Sequence, residues 1–182
     1  MDSYRRRLAL LVFACALFLA GCAGRGAAPP PAGHGFEGHP GMPLVVTARS
    51  QIGTPYAYGG YSPDQGFDCS GFVWWVHAQN GLDVPRTAHE LWAGGRFVPP
   101  GERQPGDVAV FRTGGKPKDL HVGIVTERGT IVHSPKTGAV VREEPMTIPY
   151  WSSRYLGSKR FHPEFSSALE AQADFVPAPD AP

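Results

Sequence analysis

At Pro105-Gly106 the spacing of apolar side chains changes, and that change restricts the chain to one broad architecture. Ahead of it the spacing is helical. Val45, Ala48 and Ile52 share one face before Gly53, and Phe72, Val73 and Val76 share another before Gly81. Thr87, with Glu90 three residues on, is a capping-box pattern that opens a third short helix, closed by Gly94 and Gly95. Beyond Pro105-Gly106 short strand-like runs follow at 107–112, 121–126, 130–134, 139–142 and 155–161. Helices first and strands second predict an α+β domain, N-terminal helices packed on a small antiparallel β-sheet.

Most of the aromatic and β-branched residues lie in 44–162, long enough for one ordinary core and without an internal repeat. The flanks differ. Residues 22–43 are rich in Gly, Pro and Ala and bury too little surface to offset their ordering entropy, so a flexible tether is expected there. The acidic, Pro/Ala-rich 163–182 is expected to be a disordered tail.

The chain opens with Arg5 to Arg7 and an uncharged apolar run from Leu8 to Ala20, the pattern of a secretory signal over 1–21 and too short for a comfortable membrane span. Leu19-Ala20-Gly21-Cys22 resembles the bacterial lipobox, which implies cleavage before Cys22 and a lipid on its sulfur. Several acyl chains would anchor it stably. Ala23, not aspartate, follows the cysteine, and resemblance to Gram-negative lipoproteins then implies the periplasmic face of the outer membrane. Removing 1–21 takes three arginines and one aspartate from the 17 basic and 16 acidic residues, so the mature chain is nearly neutral. No basic cluster remains as a footprint for nucleic acid.

Cys15 leaves with the signal and Cys22 is expected to carry lipid, so Cys69 is the one thiol expected in the folded domain. An exported protein meets an oxidising compartment, where an unbridged cysteine is either buried and inert or chemically employed. Asp68-Cys69-Ser70-Gly71-Phe72 places it at a helix N-terminus, where the dipole favours thiolate by less than one pKa unit. A neighbouring protonated histidine would do much more. In the stretch from His121 to His133, a three-residue hairpin loop at Glu127, Arg128 and Gly129 pairs Thr126 with Thr130 and sets Gly123 opposite His133. His121 and His133 then project from one face of the sheet as neighbours. A two-residue loop would send them to opposite faces. The arrangement implied is Cys69 as nucleophile, His121 as general base and His133 orienting His121. One cysteine and two histidines also suit three ligands of a metal, but the chain has no Cys-x-x-Cys or His-x-x-x-His chelate, so neither metal nor cofactor is expected.

These residues resemble the NlpC family of cell-wall cysteine peptidases, a compact branch of the papain-like fold. The similar stretches, in family order, are Gly53-Thr-Pro-Tyr-Ala-Tyr-Gly-Gly60, Phe67-Asp-Cys-Ser-Gly-Phe72, Pro85-Arg-Thr-Ala88, Gln104-Pro-Gly-Asp107, His121-Val-Gly-Ile124 and Ile131-Val-His-Ser134. The resemblance implies the same three roles for Cys69, His121 and His133, and it suggests that Tyr56 helps the Cys69 amide hold an oxyanion. Asp68 and Ser70 resemble positions that line the substrate groove, and equally suit helix capping. Arg86 is placed to pair a substrate carboxylate or a protein acid. The function implied is hydrolysis of peptidoglycan peptide, at a D-γ-glutamyl-diaminopimelate bond or a diaminopimelate crosslink. The rivals are a non-catalytic wall-binding lipoprotein and an amidase acting on another γ-glutamyl or host amide.

Overall fold

The structure is a computed structural model that describes residues 38–116 and 119–162. The expected signal, Cys22, most of the expected tether and the 163–182 tail lie outside the described residues. The first helix, α1, spans Met42–Ser50, two residues ahead of the expected start of the domain. Pro43 sits in its first turn, where a missing N–H costs nothing. Leu44, Val45 and Ala48 are buried along it, whereas Ile52 lies past its end and is exposed, so the expected apolar stripe is one residue shorter.

A two-stranded ribbon, β1 (Tyr61–Ser62) and β2 (Gly66–Phe67), leads into α2 (Cys69–Gln79). The third helix, α3 (Ala88–Ala93), opens with the expected reciprocal box, the Thr87 side chain on the Glu90 amide and Glu90 back on Thr87. The sheet elements are β3 (Arg96–Val98), β4 (Val108–Arg112), β5 (Leu120–Val125), β6 (Thr130–His133), β7 (Arg142–Pro145) and β8 (Tyr155–Arg160). A short α4 (Pro149–Ser152) joins the last two. The strands form one antiparallel sheet in the order β3-β8-β4-β5-β6-β7.

The sequence runs placed a strand at 139–142; the ladder instead begins at Arg142 and continues to Pro145. Residues before it are diverted to pair with the segment ahead of β1, through a bridge between Pro55 and Val140. The edge strand β3 was not foreseen, because three residues with two exposed side chains carry no period.

Both faces of the sheet are covered. Val108, Val110, Val122, Ile124 and Val132 pack with Phe72, Val73 and Val76 of α2 and with residues of α1 and α3. Ala109, Phe111, Val125 and Ile131 face the other way, under Met146 and Trp151. Asp107 and Arg160, both buried, lock the start of β4 to the end of β8 at 2.6 and 2.8 Å. Burial alone would raise the Asp107 carboxyl, but hydrogen bonds from Arg160 and the Gln104 amide hold it below its usual range.

Candidate active site

Cys69 is the first residue of α2, and Asp68 caps that helix by accepting from the Gly71 amide. The cap is fixed from outside. Arg86 donates to both carboxylate oxygens of Asp68 at 3.1 and 3.2 Å, to Ser70 Oγ at 3.1 Å, and to the carbonyls of Gly59 and Gly60. Gly71 is required here, since a Cβ would lie 2.1 Å from the Gly60 carbonyl oxygen. Asp68, Ser70 and Arg86 are thus one network, and Arg86 is committed to protein acceptors.

The hairpin from β5 to β6 has the expected register. Ile124 pairs with Val132 and Val125 with Ile131, the Thr126 amide donates to Thr130, and Gly129 takes the left-handed conformation at φ 70°. His121 and His133 therefore share a face, and their Nε2 and Nδ1 atoms are 2.8 Å apart. The thiol meets this strand too: the Val122 backbone N–H, next in the chain to His121, hydrogen-bonds Cys69. Tyr56 is near enough that the charges of Cys69 and Asp68, after burial, raise its phenol above the usual value.

Two partners were missed. Glu144 accepts from His133 Nε2 at 3.0 Å and from the Trp151 indole N–H at 2.9 Å on the same oxygen, while Arg142 holds its other oxygen at 2.9 Å. Trp151 also stacks on His121, with ring centroids 5.2 Å apart. The signal for Glu144 was present in Arg142-Glu143-Glu144. Once β7 is carried past Arg142, alternation puts Arg142 and Glu144 on the face of His133, its cross-strand partner being Arg142. Glu143, on the opposite face, pairs with Arg49 of α1 at 2.9 Å.

The donors run in one direction along this line. Glu144 is acceptor only, so His133 carries its proton on Nε2 and offers the Nδ1 lone pair to His121. His121 must then donate from Nε2, which leaves its Nδ1 bare. Burial, and then the charge of Arg142, hold His133 down to about 3. Burial and the neighbouring His133 hold His121 down to about 3 as well. Burial pushes the Cys69 thiol up to about 11, against the helix dipole and the Val122 amide. Burial thus opposes charge on the thiol and on both imidazoles, and it outweighs a dipole worth ~0.3–1 kcal/mol.

Residues 53–160 match the model of the NlpC/P60 family. The chain belongs to that family. A gamma-DL-glutamyl hydrolase of Bacillus subtilis strain 168 is 37% identical over 121 residues, which are 66% of this chain and 29% of that protein. The murein DD-endopeptidase MepH of Escherichia coli K12 is 39% identical over 114 residues, 60% of this chain and 42% of that protein. The crystal structure of an NlpC/P60 family protein from Bacillus cereus superposes with a TM-score of 0.63 at 29% identity, covering 68% of this chain and 40% of that one. The chain thus spans less than half the length of these relatives, and the fold it shares with them is the papain-like NlpC/P60 fold.

Proposed function

We propose that this chain is a cysteine peptidase that hydrolyses peptide bonds of peptidoglycan, with Cys69 as nucleophile, His121 as general base and His133 as the group that orients it. The observation that carries the reading is the line of hydrogen bonds from Glu144 through His133 to His121, which leaves a bare imidazole nitrogen on the strand that contacts the only thiol among the described residues. In the reaction the Cys69 S–H proton passes to His121 Nδ1 as sulfur bonds to the scissile carbonyl carbon. The oxyanion is held by the Cys69 amide and the Tyr56 hydroxyl. Collapse breaks the C–N bond, and the amine leaves with the proton from His121. Water then adds to the thioester, returns a proton through His121 to sulfur, and frees the acid.

Among the described residues Asp68 Oδ2 receives one protein donor, Arg86, so it keeps room for the free amine of a stem peptide, with Ser70 beside it. Arg86 holds that carboxylate in place. The names of two relatives, a gamma-DL-glutamyl hydrolase and a murein DD-endopeptidase, support either a γ-glutamyl bond or a murein peptide bond, which we take to be a γ-glutamyl linkage to diaminopimelate or a diaminopimelate crosslink. Digesting purified sacculi and identifying the muropeptides by mass spectrometry tests this: wild type is expected to release cut stems or monomers, Cys69→Ala none while remaining folded. Equal products from both proteins would end the reading.

The apolar run ending at Cys22 supports an exported form held on the periplasmic face of the outer membrane by lipid on that cysteine, with residues between it and the domain as tether and those after 162 as tail. Cys22→Ala is expected to move the protein to the soluble fraction of the envelope. If the variant stays with the membrane, the anchor lies elsewhere.

A further inference from the structure

A substrate cut between two residues has two halves, and the groups assigned above hold only the acyl half. On the sheet face that carries His121, Phe111 and Trp151, away from α1 to α3, lies an open cavity of about 500 Å³. His121, Lys136, Arg142, Glu144, Tyr150 and Trp151 are in its wall. Its charge is unbalanced. Glu144 is already occupied, one oxygen by His133 and Trp151 and the other by Arg142. Lys136 is exposed and makes no ion pair among the described residues, and Arg142 has a buried Nε–H without an acceptor. That Nε is closed to solvent, but the Arg142 side chain is 44% exposed, so its outer guanidinium N–H groups are the ones open to a ligand oxygen. The exposed Tyr150 ring offers apolar wall for a methylene chain.

Polarity decides which half belongs here. Asp68, on the α2 side of the thiol, suits an ammonium, whereas Lys136 and Arg142 on the sheet side suit a carboxylate. A peptide bound with its amino end at Asp68 presents its carboxylate end, the leaving amine half, to the cavity. We propose that this cavity binds the leaving half of the substrate and that Lys136 and Arg142 hold a free carboxylate on it. The inference rests on the peptidase reading and adds to it a preference for acidic over amidated wall peptides.

The test uses the full chain and the synthetic tripeptide L-alanyl-γ-D-glutamyl-diaminopimelate, with the diaminopimelyl carboxylates either free or as carboxamides. Wild type is expected to favour the free acid in kcat/KM, chiefly through KM, and Lys136→Gln to reduce that preference about fivefold. Lys136→Glu is expected to reverse it. Calorimetric binding of free diaminopimelate and its amide to Cys69→Ala gives a readout independent of cleavage. If wild type and both variants cut acid and amide alike, the cavity proposal falls and the peptidase reading stands. If neither tripeptide is cut yet the acid alone binds Cys69→Ala and is lost with Lys136→Gln, the cavity stands and the γ-glutamyl bond is excluded as the one cut. Binding of neither compound, with no preference in cutting, overturns the inference.

Discussion

A single carboxylate sets the proton inventory of the site. Glu144 sees His133 Nε2, and through that contact it decides which nitrogen of His121 is bare. Replacing it by glutamine sets an amide N–H either against His133 and the Trp151 indole or against Arg142, so the carboxylate no longer fixes the His133 tautomer and His121 Nδ1 is no longer held bare. Glu144→Gln is expected to lower kcat by roughly 10²–10⁴-fold, the range lost when a base is held in the wrong tautomer, with little change in KM. Steady-state kinetics on a soluble stem peptide checks this, and a kcat within threefold of wild type would remove Glu144 from the mechanism. Trp151 shares that carboxylate and stacks on His121, so it fixes the ring from a second direction. Trp151 was not legible beforehand, and Glu144 only once β7 is carried past Arg142. Glutamate and tryptophan on a short helix and an edge strand are ordinary surface and core residues until the chain brings them together.

The element that matters most is the hairpin between β5 and β6. Its loop length alone puts both histidines on one face, and that much could be read from Thr126, Gly129 and Thr130 because loop stereochemistry is local. Deleting Arg128 shortens the loop by one residue and is expected to turn His133 to the opposite face. Activity should fall to the level of Cys69→Ala while circular dichroism still reports an ordered sheet. Retained cleavage by the deletion variant would mean that β6 recovers its register through β7. Arg49 of α1 bonds Glu143 of β7 and Glu127 of the loop at 2.9 to 3.0 Å, contacts that the shortened loop has to break. The helices were legible for a similar reason, since capping at Thr87 and Asp68 involves residues within one turn.

Across the molecule, burial leaves several histidines neutral. Burial, against a hydrogen bond to the Val73 carbonyl, takes His77 down to about 4, and His121 and His133 lie near 3. An unfolded chain takes up these protons below about pH 6.5, but the folded chain refuses them until much lower pH. The stability they contribute is therefore full above about pH 6.5 and is lost as pH falls towards 4. His77 is away from the thiol, fully buried against Phe161, with an Nε2 that has no partner among the described residues. His77→Leu is expected to lose less stability than wild type between pH 7.5 and 5, by about 1–2 kcal/mol in chemical denaturation. Parallel stability curves for the two proteins would exclude His77 as a source of acid sensitivity.

The sequence by itself determined the α+β order, the helix caps and the register that pairs His121 with His133, because each depends on spacing and backbone stereochemistry over a few residues. Tertiary structure alone decided that Glu144 and Trp151 complete the line, that the Val122 amide meets Cys69, and that Arg142 and Lys136 open onto a cavity beside His121. It also set the direction in which burial moves the pKa values of the site. Desolvation depends on everything packed around a group, and the residues that bury Cys69 and the two histidines come from helices and strands far apart in the chain.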